Sequence, residues 1–392
     1  MGWMVVGMST PNTYRAVSPD YRISIDGKDI TKRIDARLMS LSLTESRGNE
    51  SDELSLTLDD ADGLMALPPK GGTITLQLGW EGEGLVDKGS FVIDEVEHQG
   101  APDTIAVRAR AVPFAGPIKQ RAEKSWHKTT LGQIAQTIAQ RHKLVAKIDA
   151  ALAARVIEHI DQTNESDLHF LTRLAKKADA VCSVKKGHLV MTPIGGAKTA
   201  SGQALPTLRL TRQLGDQHHY QTAERDSYTA VRAYWTDGKK ATRKAVVVGK
   251  VDKGLDKVKV LKDTYTAEAD ARAAAQAEMQ RITRGGAKLS LTLALGQPAL
   301  APQTPVRVSG FKAGIDDSGW LVMRVVHDIN DQGFTTKIEC ELNALAGDLS
   351  ETPEEFGTAP VEDADNNEEK KNPHGLGRCG LEGMAGGAMQ GG

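Results

Sequence analysis

Histidine and carboxylate side chains are the groups in this sequence best suited to chemistry. His218 and His219 stand beside Asp216 and could hold a metal ion, but no further ligand follows at a metal-site spacing. An ordinary polar loop is therefore the favoured interpretation of that stretch. Glu165 and Asp167 could act as a carboxylate pair. They lie at the start of a predicted helix, where the helix dipole stabilises negative charge, and this favours a structural role.

The other reactive groups point to no catalytic site. His374 and Cys379 lie in a glycine-rich tail where nothing orients them, and Cys340 alternates with Ile338 and Leu342 as a buried small residue does. No nucleophile elbow, phosphate-binding loop, dinucleotide-binding glycine motif or His-Glu-x-x-His zinc motif occurs. The sequence therefore predicts a protein that is not an enzyme, with no catalytic residues, no cofactor and no metal.

Charge and hydropathy argue against several classes of partner. The 49 lysines and arginines nearly balance the 51 aspartates and glutamates among 392 residues, so no global field attracts nucleic acid or an anionic membrane. No apolar run approaches the roughly 20 residues of a membrane span. The basic run 243–262 is interleaved with valines and lacks stacking aromatics, which favours solvated strands. We expect neither membrane insertion nor sequence-specific nucleic-acid binding.

A repeated strand sequence organises the elements around these residues. Leu54-Ser-Leu-Thr-Leu58 returns as Leu289-Ser-Leu-Thr-Leu293. Matched strands start at 54, 73, 89 and 104 and again at 289, 305, 319 and 335, so the offset stays between 230 and 235 residues. This spacing predicts one duplicated β module, a small barrel or sandwich; the alternative is two unrelated β domains with a common pattern. The alternating leucines of this duplicated core are Leu54, Leu56, Leu58, Leu289, Leu291 and Leu293.

Helical periodicity falls between and within the β regions. Helices are predicted at about 131–142, 165–178 and 267–283, and a hairpin joins 181–184 to 188–191. The expected N-caps are Thr129 or Thr130 for the first helix, Asn164 at capping-box spacing from Asp167 for the second, and Thr266 for the third. The residues after 349 are acidic and then glycine-rich, which is typical of disorder.

One segment carries a family resemblance. Residues 160–175, followed by 186–190, resemble the Gln-x-x-Glu-Ser-Asp-x-x-Phe-x-x-Arg-Leu signature of contractile-tail hub proteins. These are the late control protein D family of myophages and the N-terminal part of type VI secretion VgrG spikes. The similarity covers roughly residues 18–346. The matching positions are Gln162, Asn164, Glu165, Ser166, Asp167, Phe170, Arg173 and Leu174.

With this resemblance the predicted fold is α+β and mainly β, with two duplicated tube-like β-barrel modules. A helical middle domain lies between the modules, and an acidic and glycine-rich C-terminal tail is disordered. The predicted divisions are a flexible N-terminus at 1–17, the first module at 18–114, the middle domain at 115–203, the second module at 204–236 and 285–346, an inserted strand–helix segment at 237–284, and the tail at 347–392.

The resemblance also implies a function. In that family three chains form a baseplate hub, and six barrels in a ring adapt a sixfold tail tube to a threefold spike. The implied partners are two further copies of the chain, the tail tube or its initiator, the central spike, the tape-measure protein and the baseplate wedge proteins. VgrG-type chains continue into a needle, whereas this chain ends in a predicted tail, which favours a separate spike and a phage-like particle. The expected location is the virion baseplate, after assembly in the host bacterial cytoplasm.

Two other functions stay open. Residues 130–144 resemble the first helix of a LysM domain, which would make the chain a peptidoglycan-binding tail module. Such a domain also needs a second helix and flanking strands, which the sequence does not make clear. The third possibility is a cell-wall hydrolase.

Overall fold

The computed structural model describes residues 18–48, 51–111, 118, 120–185, 187–196, 205–222, 228–237, 242–251 and 257–344. The predicted N-terminal segment 1–17 and the predicted tail, including His374 and Cys379, lie outside these residues. The helices are α1 (Thr31–Ile34), α2 (Leu131–Arg141), α3 (Ala150–Ala153), α4 (Asp167–Lys177), α5 (Glu268–Gly285) and α6 (Ala313–Asp316). The strands are β1 (Pro19–Ile25), β2 (Lys28–Asp29), β3 (Leu38–Ser46), β4 (Glu53–Asp59), β5 (Thr73–Trp80), β6 (Gly84–Gln99), β7 (Thr104–Ala111), β8 (Arg121–Thr130), β9 (Val145–Ile148), β10 (Val156–Ser166), β11 (Ala180–Lys185), β12 (His188–Pro193), β13 (Leu208–Thr211), β14 (Gly215–Thr222), β15 (Ala230–Asp237), β16 (Thr242–Gly249), β17 (Val258–Tyr265), β18 (Ala287–Leu293), β19 (Pro305–Ser309), β20 (Trp320–Asn330) and β21 (Gly333–Leu342).

One sheet of 13 strands runs through both predicted β regions. Its order is β14-β18-β21-β20-β3-β4-β7-β6-β5-β1-β2, and β19 links β20 to β13. The two halves meet where Arg324–Asn330 of β20 pair antiparallel with Ser40–Ser46 of β3. Three smaller sheets lie beside it in the described part of the chain: β8–β10, β9–β12–β11 and β16–β15–β17. The fold is therefore mainly β.

Alternating side chains account for the long sheet and its two cores. Ser55 and Thr57 of β4 are half-buried, whereas the leucines on either side of them are buried. A two-residue period puts alternate side chains on one face, so each leucine set faces one core. The first core also takes Ile329 and Phe334 from the second half of the sheet. The buried leucines of β4 and β18 are Leu54, Leu56, Leu58, Leu289, Leu291 and Leu293.

The two halves of the sheet have the same strand order. In the first half the order is β3-β4-β7-β6-β5-β1, and in the second it is β14-β18-β21-β20-β19-β13. All eight strands that the sequence matched in pairs are present at corresponding places in these orders. One difference is that β13 pairs parallel with β19, whereas β1 pairs antiparallel with β5.

Each half of the sheet also has two β-bulges, and they occupy corresponding places. In the first half the bulges lie between β3 and β4 and between β6 and β7. In the second half they lie between β14 and β18 and between β20 and β21. A bulge inserts a residue and shifts the register, so matched bulges decide which residues correspond. The register shifts lie between Leu38 and Ser40, Gly215 and Gln217, Ile93 and Glu95, and Val322 and Arg324.

The middle domain combines three helices, α2, α3 and α4, with two small sheets. The Thr130 side chain accepts a hydrogen bond from the Gln133 backbone N–H, and the Gln133 side chain accepts one from the Thr130 N–H. This capping box confirms Thr130 as the cap of α2. The predicted hairpin is confirmed as β11 and β12. Strands β8, β9 and β10 have no predicted counterpart, because their sequences mix polar and apolar residues without a clean alternation.

The start of α4 differs from the prediction. The Ser166 side chain caps this helix by accepting from the His169 N–H, so Asn164 as the predicted cap is wrong. Asn164 lies two residues upstream with a φ of 49°. The register of β10 against β8 shifts there, between Gln162 and Glu165. A local bulge therefore moves Asn164 out of the capping position.

The inserted segment begins earlier than predicted. The strand predicted to end the first part of the second module is β15, which pairs with β16 and β17 and not with the long sheet. The division between 236 and 237 is therefore wrong, because alternation does not reveal which sheet a strand joins. Helix α5 packs on this small sheet through Ala271 and Ala275. It begins after Ala267 without a side-chain cap, so the predicted cap Thr266 is also wrong.

Candidate functional site

The family-motif residues build the junction between β10 and α4. Arg173 Nε donates to Glu165 Oε2 over 3.2 Å, a second guanidinium N–H reaches Oε1, and His169 Nδ1 lies 3.0 Å from Oε2. Arg173 also donates to the Asp161 carbonyl over 2.8 Å. Burial favours the neutral acid, but Arg173 and His169 outweigh it and lower the pKa of Glu165. These contacts hold the end of β10 against α4.

A second ion-pair group centres on the buried Asp167. Arg141 donates to its two carboxylate oxygens over 3.1 and 2.8 Å, His142 Nε2 lies 2.7 Å from Oδ2, and Gln162 donates over 2.9 Å. Burial would raise the pKa of Asp167, but Gln162, His142 and Arg141 together lower it. The carboxylate is ionised with its acceptor sites used, so it joins α2 to α4. Side-chain partners explain Asp167 more fully than the helix dipole does.

The apolar residues of the motif face the middle-domain core. Phe170 is fully buried and its ring stacks on Trp126 with centroids 6.2 Å apart. Leu174, one turn further along α4, is also buried. The motif residues that the structure brings together thus serve packing and orientation.

Four charged residues from different domains form what we call the domain junction: Arg47, Asp179, Arg284 and Glu341. Arg284 lies in the last turn of α5, and its guanidinium binds both oxygens of Asp179 in the middle domain, with one N–H···O distance of 2.6 Å. Arg284 Nε also lies 3.2 Å from Glu341 Oε1 on β21. Arg47, just after β3, donates to the same oxygen over 2.5 Å. The junction therefore connects both sheet halves, the inserted domain and the middle domain.

Burial decides what the domain junction contributes. The Arg284 side chain is 4% exposed, and those of Asp179 and Glu341 are 9% and 10% exposed. A bidentate arginine–carboxylate pair has a fixed geometry, and a buried charge without its partner is strongly unfavourable. The network therefore disfavours any relative movement of the four domains that separates its members.

A third group, the seam cluster, lies where the two sheet halves meet and consists of Glu45, Lys88 and His327. Lys88 Nζ lies 2.6 Å from Glu45 Oε2 and donates to the Leu300 carbonyl over 3.1 Å. His327 Nε2 lies 3.5 Å from the same Glu45 oxygen, and its Nδ1 lies 2.9 Å from Thr336 Oγ1. Strands β3, β6 and β20 are held together by these contacts.

The seam cluster has perturbed protonation equilibria. Burial would raise the pKa of Glu45, but His327 and Lys88 outweigh it and lower that pKa to about 2. Burial lowers the pKa of His327, and the neighbouring Lys88 charge lowers it further, against the opposing effect of Glu45. Near neutral pH the cluster thus holds an ionised Glu45 beside a neutral His327.

Apolar contacts complete the seam between the halves. Trp80 Nε1 donates to the Gly296 carbonyl over 2.9 Å, and the centroids of the Trp80 and Phe334 rings lie 5.2 Å apart. A Cβ atom on Gly296 would lie 2.4 Å from the Phe334 ring. Only glycine fits this close approach of backbone and ring.

Those residues singled out for chemistry that the structure describes are not brought together. His218 and His219 lie exposed in β14, so the predicted polar loop is a strand. Cys340 is buried, and burial raises the pKa of its thiol. Within the described residues no three His, Cys, Asp or Glu side chains converge as metal ligands would. None of the helices in this part of the chain is long and apolar enough to cross a membrane.

The basic run contains contacts that the sequence did not suggest. Arg243 lies over the Tyr234 ring at 3.8 Å from its centroid, and Lys244 lies 5.0 Å from that of Trp235. The prediction that no aromatics accompany this run is therefore wrong, because β15 supplies them from the neighbouring strand. Residues 252–256 of the run lie outside the described residues.

Sequence reasoning missed the domain junction. Arg47 and Glu341 are 294 residues apart, and no local pattern links them. Glu341 follows the inward-facing Cys340, so alternation places it on the wet face of β21. Arg284 precedes Gly285 at a helix end, where a basic residue is expected from the dipole alone. The sequence offered one weak signal of this contact: Arg284 lies near the end of an alanine-rich helix, just before a buried strand.

Comparisons with known proteins agree on one family. The family model for phage tail baseplate hub (GPD) matches residues 51–333. A probable baseplate hub protein of Escherichia phage 186 is 41% identical over 376 residues, which cover 86% of this chain and 96% of the relative. These two similarities extend beyond the motif and include both sheet halves.

Solved structures share the fold. The crystal structure of the 43 kDa tail protein of prophage MuSo2 from Shewanella oneidensis matches with a TM-score of 0.66 at 17% identity, over 83% of this chain and 99% of that one. The E. coli c3393 protein matches with a TM-score of 0.51 at 14% identity, over 86% and 79%. It is a component of the type VI secretion system and is described as similar to T4 tail proteins gp27 and gp5.

Proposed function

Since the chain belongs to the phage tail baseplate hub (GPD) family, we propose that three copies form an adaptor between a sixfold tail tube and a threefold central spike. The particle is a contractile phage or a phage-derived tail. The chain acts as a structural protein there, after assembly in the host bacterial cytoplasm. Its proposed partners are its own copies, the tube or tube initiator, the spike, the tape-measure protein and the baseplate wedge proteins.

The observation that carries the proposal is the correspondence of the two sheet halves. They share strand order and both bulge positions. This supports a duplicated module of the tube-like barrel kind. One chain then presents two similar surfaces, and three chains present six around a threefold axis. A chain with a single module could not match both symmetries.

The polar groups between domains support the same role. An adaptor transmits force and must hold its two modules at one angle. The domain junction joins the two halves through the Arg47–Glu341 ion pair, and the seam cluster joins them through the Lys88 hydrogen bond to the Leu300 carbonyl and the His327–Glu45 contact. Because such pairs are costly to separate, they favour a rigid arrangement of the modules within each chain.

A peptidoglycan-binding module is the second candidate, and one observation favours it. Strands β8 and β10 pair antiparallel around the segment that contains α2 and the short α3. Flanking strands and a second helix are the features that a LysM-like domain requires. The second helix has four residues, so the correspondence is partial.

The test of the proposed function is assembly in the particle. In a phage or prophage that encodes this chain, disruption of the gene should give particles without complete tails, and expression in trans should restore them in electron micrographs. Purified protein should form threefold rings in negative stain. Complete, infectious tails without the gene product would overturn the proposal.

Pull-down on purified peptidoglycan tests the second candidate, and cell-wall turbidity tests a hydrolase.

A further inference from the structure

Two histidines lie side by side on the exposed face of the small β8–β10 sheet. His127 of β8 and His159 of β10 are directly opposite each other in the register of the two strands. Their Nδ1 atoms lie 3.0 Å apart, and their ring centroids lie 4.6 Å apart at an interplanar angle of 23°. Neither residue belongs to the family motif, the domain junction or the seam cluster.

Asp161 determines which nitrogen of His159 carries a proton. Its Oδ2 lies 3.2 Å from His159 Nε2, two residues further along β10. A hydrogen bond from Ser125 and the neighbouring imidazoles lower the pKa of the Asp161 carboxyl, so this group is ionised at neutral pH and only accepts hydrogen bonds. His159 Nε2 is therefore the donor, and in the neutral ring Nδ1 holds a lone pair. That lone pair accepts from the Nδ1–H of His127.

Histidine ligands of metal ions have the same arrangement. A metal-bound imidazole usually donates its other N–H to a carboxylate, which fixes the orientation of the ring and raises its basicity. Two imidazole nitrogens that bind one cation at about 2.0–2.1 Å are about 2.9–3.4 Å from each other. The 3.0 Å between the two Nδ1 atoms lies in that range. Both side chains are exposed, so rotation about the Cβ–Cγ bonds can direct the two lone pairs at one cation.

We propose that His127 and His159 bind one divalent transition-metal cation, Zn²⁺ or Cu²⁺, through their Nδ1 atoms, with Asp161 as the positioning residue. Imidazole suits these cations, whereas Mg²⁺ and Ca²⁺ prefer oxygen ligands. On binding, His127 gives its Nδ1 proton to solvent and takes one up at Nε2, so its ring stays neutral. Within the described residues no third His, Cys, Asp or Glu side chain completes the site, so water occupies the other coordination positions.

The bound cation would connect two strands that are distant in the chain. His127 and His159 are 32 residues apart, and α2, β9 and α3 lie between them. The unfolded chain does not hold the two rings together, so a cation that binds the folded form stabilises it. The site lies within the middle domain of one chain. It therefore goes beyond the proposed function and does not depend on the trimer.

Metal titration of the full-length chain without an affinity tag tests the site. Every protein carries Cys379→Ser, which removes a thiol that could bind the same cations. Calorimetry should show one Zn²⁺ bound per chain, and the electron paramagnetic resonance spectrum with Cu²⁺ should show coupling to two imidazole nitrogens. Zn²⁺ should also raise the melting temperature. H127A and H159A should each lose this rise and weaken Zn²⁺ binding at least as much as the loss of an outer-shell partner does, about 10–100-fold.

Matched variants separate this site from ordinary surface histidines. H218A/H219A removes two exposed histidines of β14 and should leave the Zn²⁺ affinity unchanged. D161N should weaken the affinity about 10–100-fold while the Cu²⁺ coupling to both nitrogens remains.

Three results would overturn the proposal. One is equal Zn²⁺ affinity of the parent chain and H127A/H159A, and another is one Zn²⁺ shared by two chains. The third is unchanged affinity in D161N, which would remove the role of Asp161. None of these results bears on the proposed hub, because tail assembly is measured in the particle.

Discussion

Removing the Arg284 guanidinium should lower the free energy of unfolding of the protein, because this group joins three domains. Arg284→Met keeps much of the side-chain length and deletes the charge. Asp179, which is 9% exposed, then loses the guanidinium that binds both its oxygens, whereas Glu341 keeps Arg47. Breaking a buried ion pair by removing one partner costs about 3–5 kcal/mol. We expect a loss near the middle of that range, because one of the two carboxylates stays paired.

Urea denaturation followed by tryptophan fluorescence measures this loss. Arg281→Met is the matched control: it lies three residues earlier in α5, its side chain is 62% exposed, and its pair with Glu278 is at the surface. Exposed pairs contribute about 0–1 kcal/mol. Adding Asp179→Asn to Arg284→Met removes both charges of the pair. The double variant should be more stable than the sum of the single losses predicts, by more than about 1 kcal/mol.

Two results would refute the domain junction as a stabilising network. One is an R284M loss within about 1 kcal/mol of the R281M loss. The other is strict additivity of R284M and D179N, since residues in one buried network couple and independent residues do not.

Three further predictions concern the cores and the seam. Leu56→Ala and Leu291→Ala should each cost about 2–5 kcal/mol in urea denaturation, and losses below about 1 kcal/mol at both sites would contradict their core positions. Because the pKa of His327 is lower in the folded protein than its ordinary value of 6.5, its contribution to stability is complete above pH 6.5 and is lost as the pH falls from there through the lowered pKa. The melting temperature should therefore fall below pH 6.5, and it should fall less in H327N; parallel profiles would contradict this. Gly296→Ala should lower the free energy of unfolding by about 1–3 kcal/mol because its Cβ would meet the Phe334 ring. Gly314→Ala, with open space around it, should change that free energy little. Equal effects would show that the Phe334 ring moves aside to accept the Cβ atom.

Much of the β architecture could be predicted from local pattern. The alternation of Leu54, Leu56 and Leu58 indicates one buried face of a strand. The same alternation from Leu289 predicts a second module in that part of the chain. The capping box of Thr130 and Gln133 is likewise a local signal, since both hydrogen bonds form within one turn. Periods of two and of 3.6 residues are properties of a short stretch of chain, and they need no knowledge of distant residues.

The signature around Asp167 indicated the family without indicating what each residue does. Gln162 and Asp167 are close in the chain, but Arg141 and His142 come from another helix. The sequence placed Asp167 at a helix start and explained it by the dipole. Its ion pairs exist only because α2 packs against α4.

The contacts between domains were decided by tertiary structure alone. The sequence by itself determined where most strands of the two sheet halves lie and which strand sequences match in pairs, but it missed β8, β9, β10 and β14. It did not determine that β15 leaves the long sheet, that β20 pairs with β3, or that Arg47 meets Glu341 across 294 residues. Strand edges carry the same backbone groups whatever their sequence, so pairing partners are selected by the packing of whole domains. Charged residues at such contacts look like surface residues until another domain covers them.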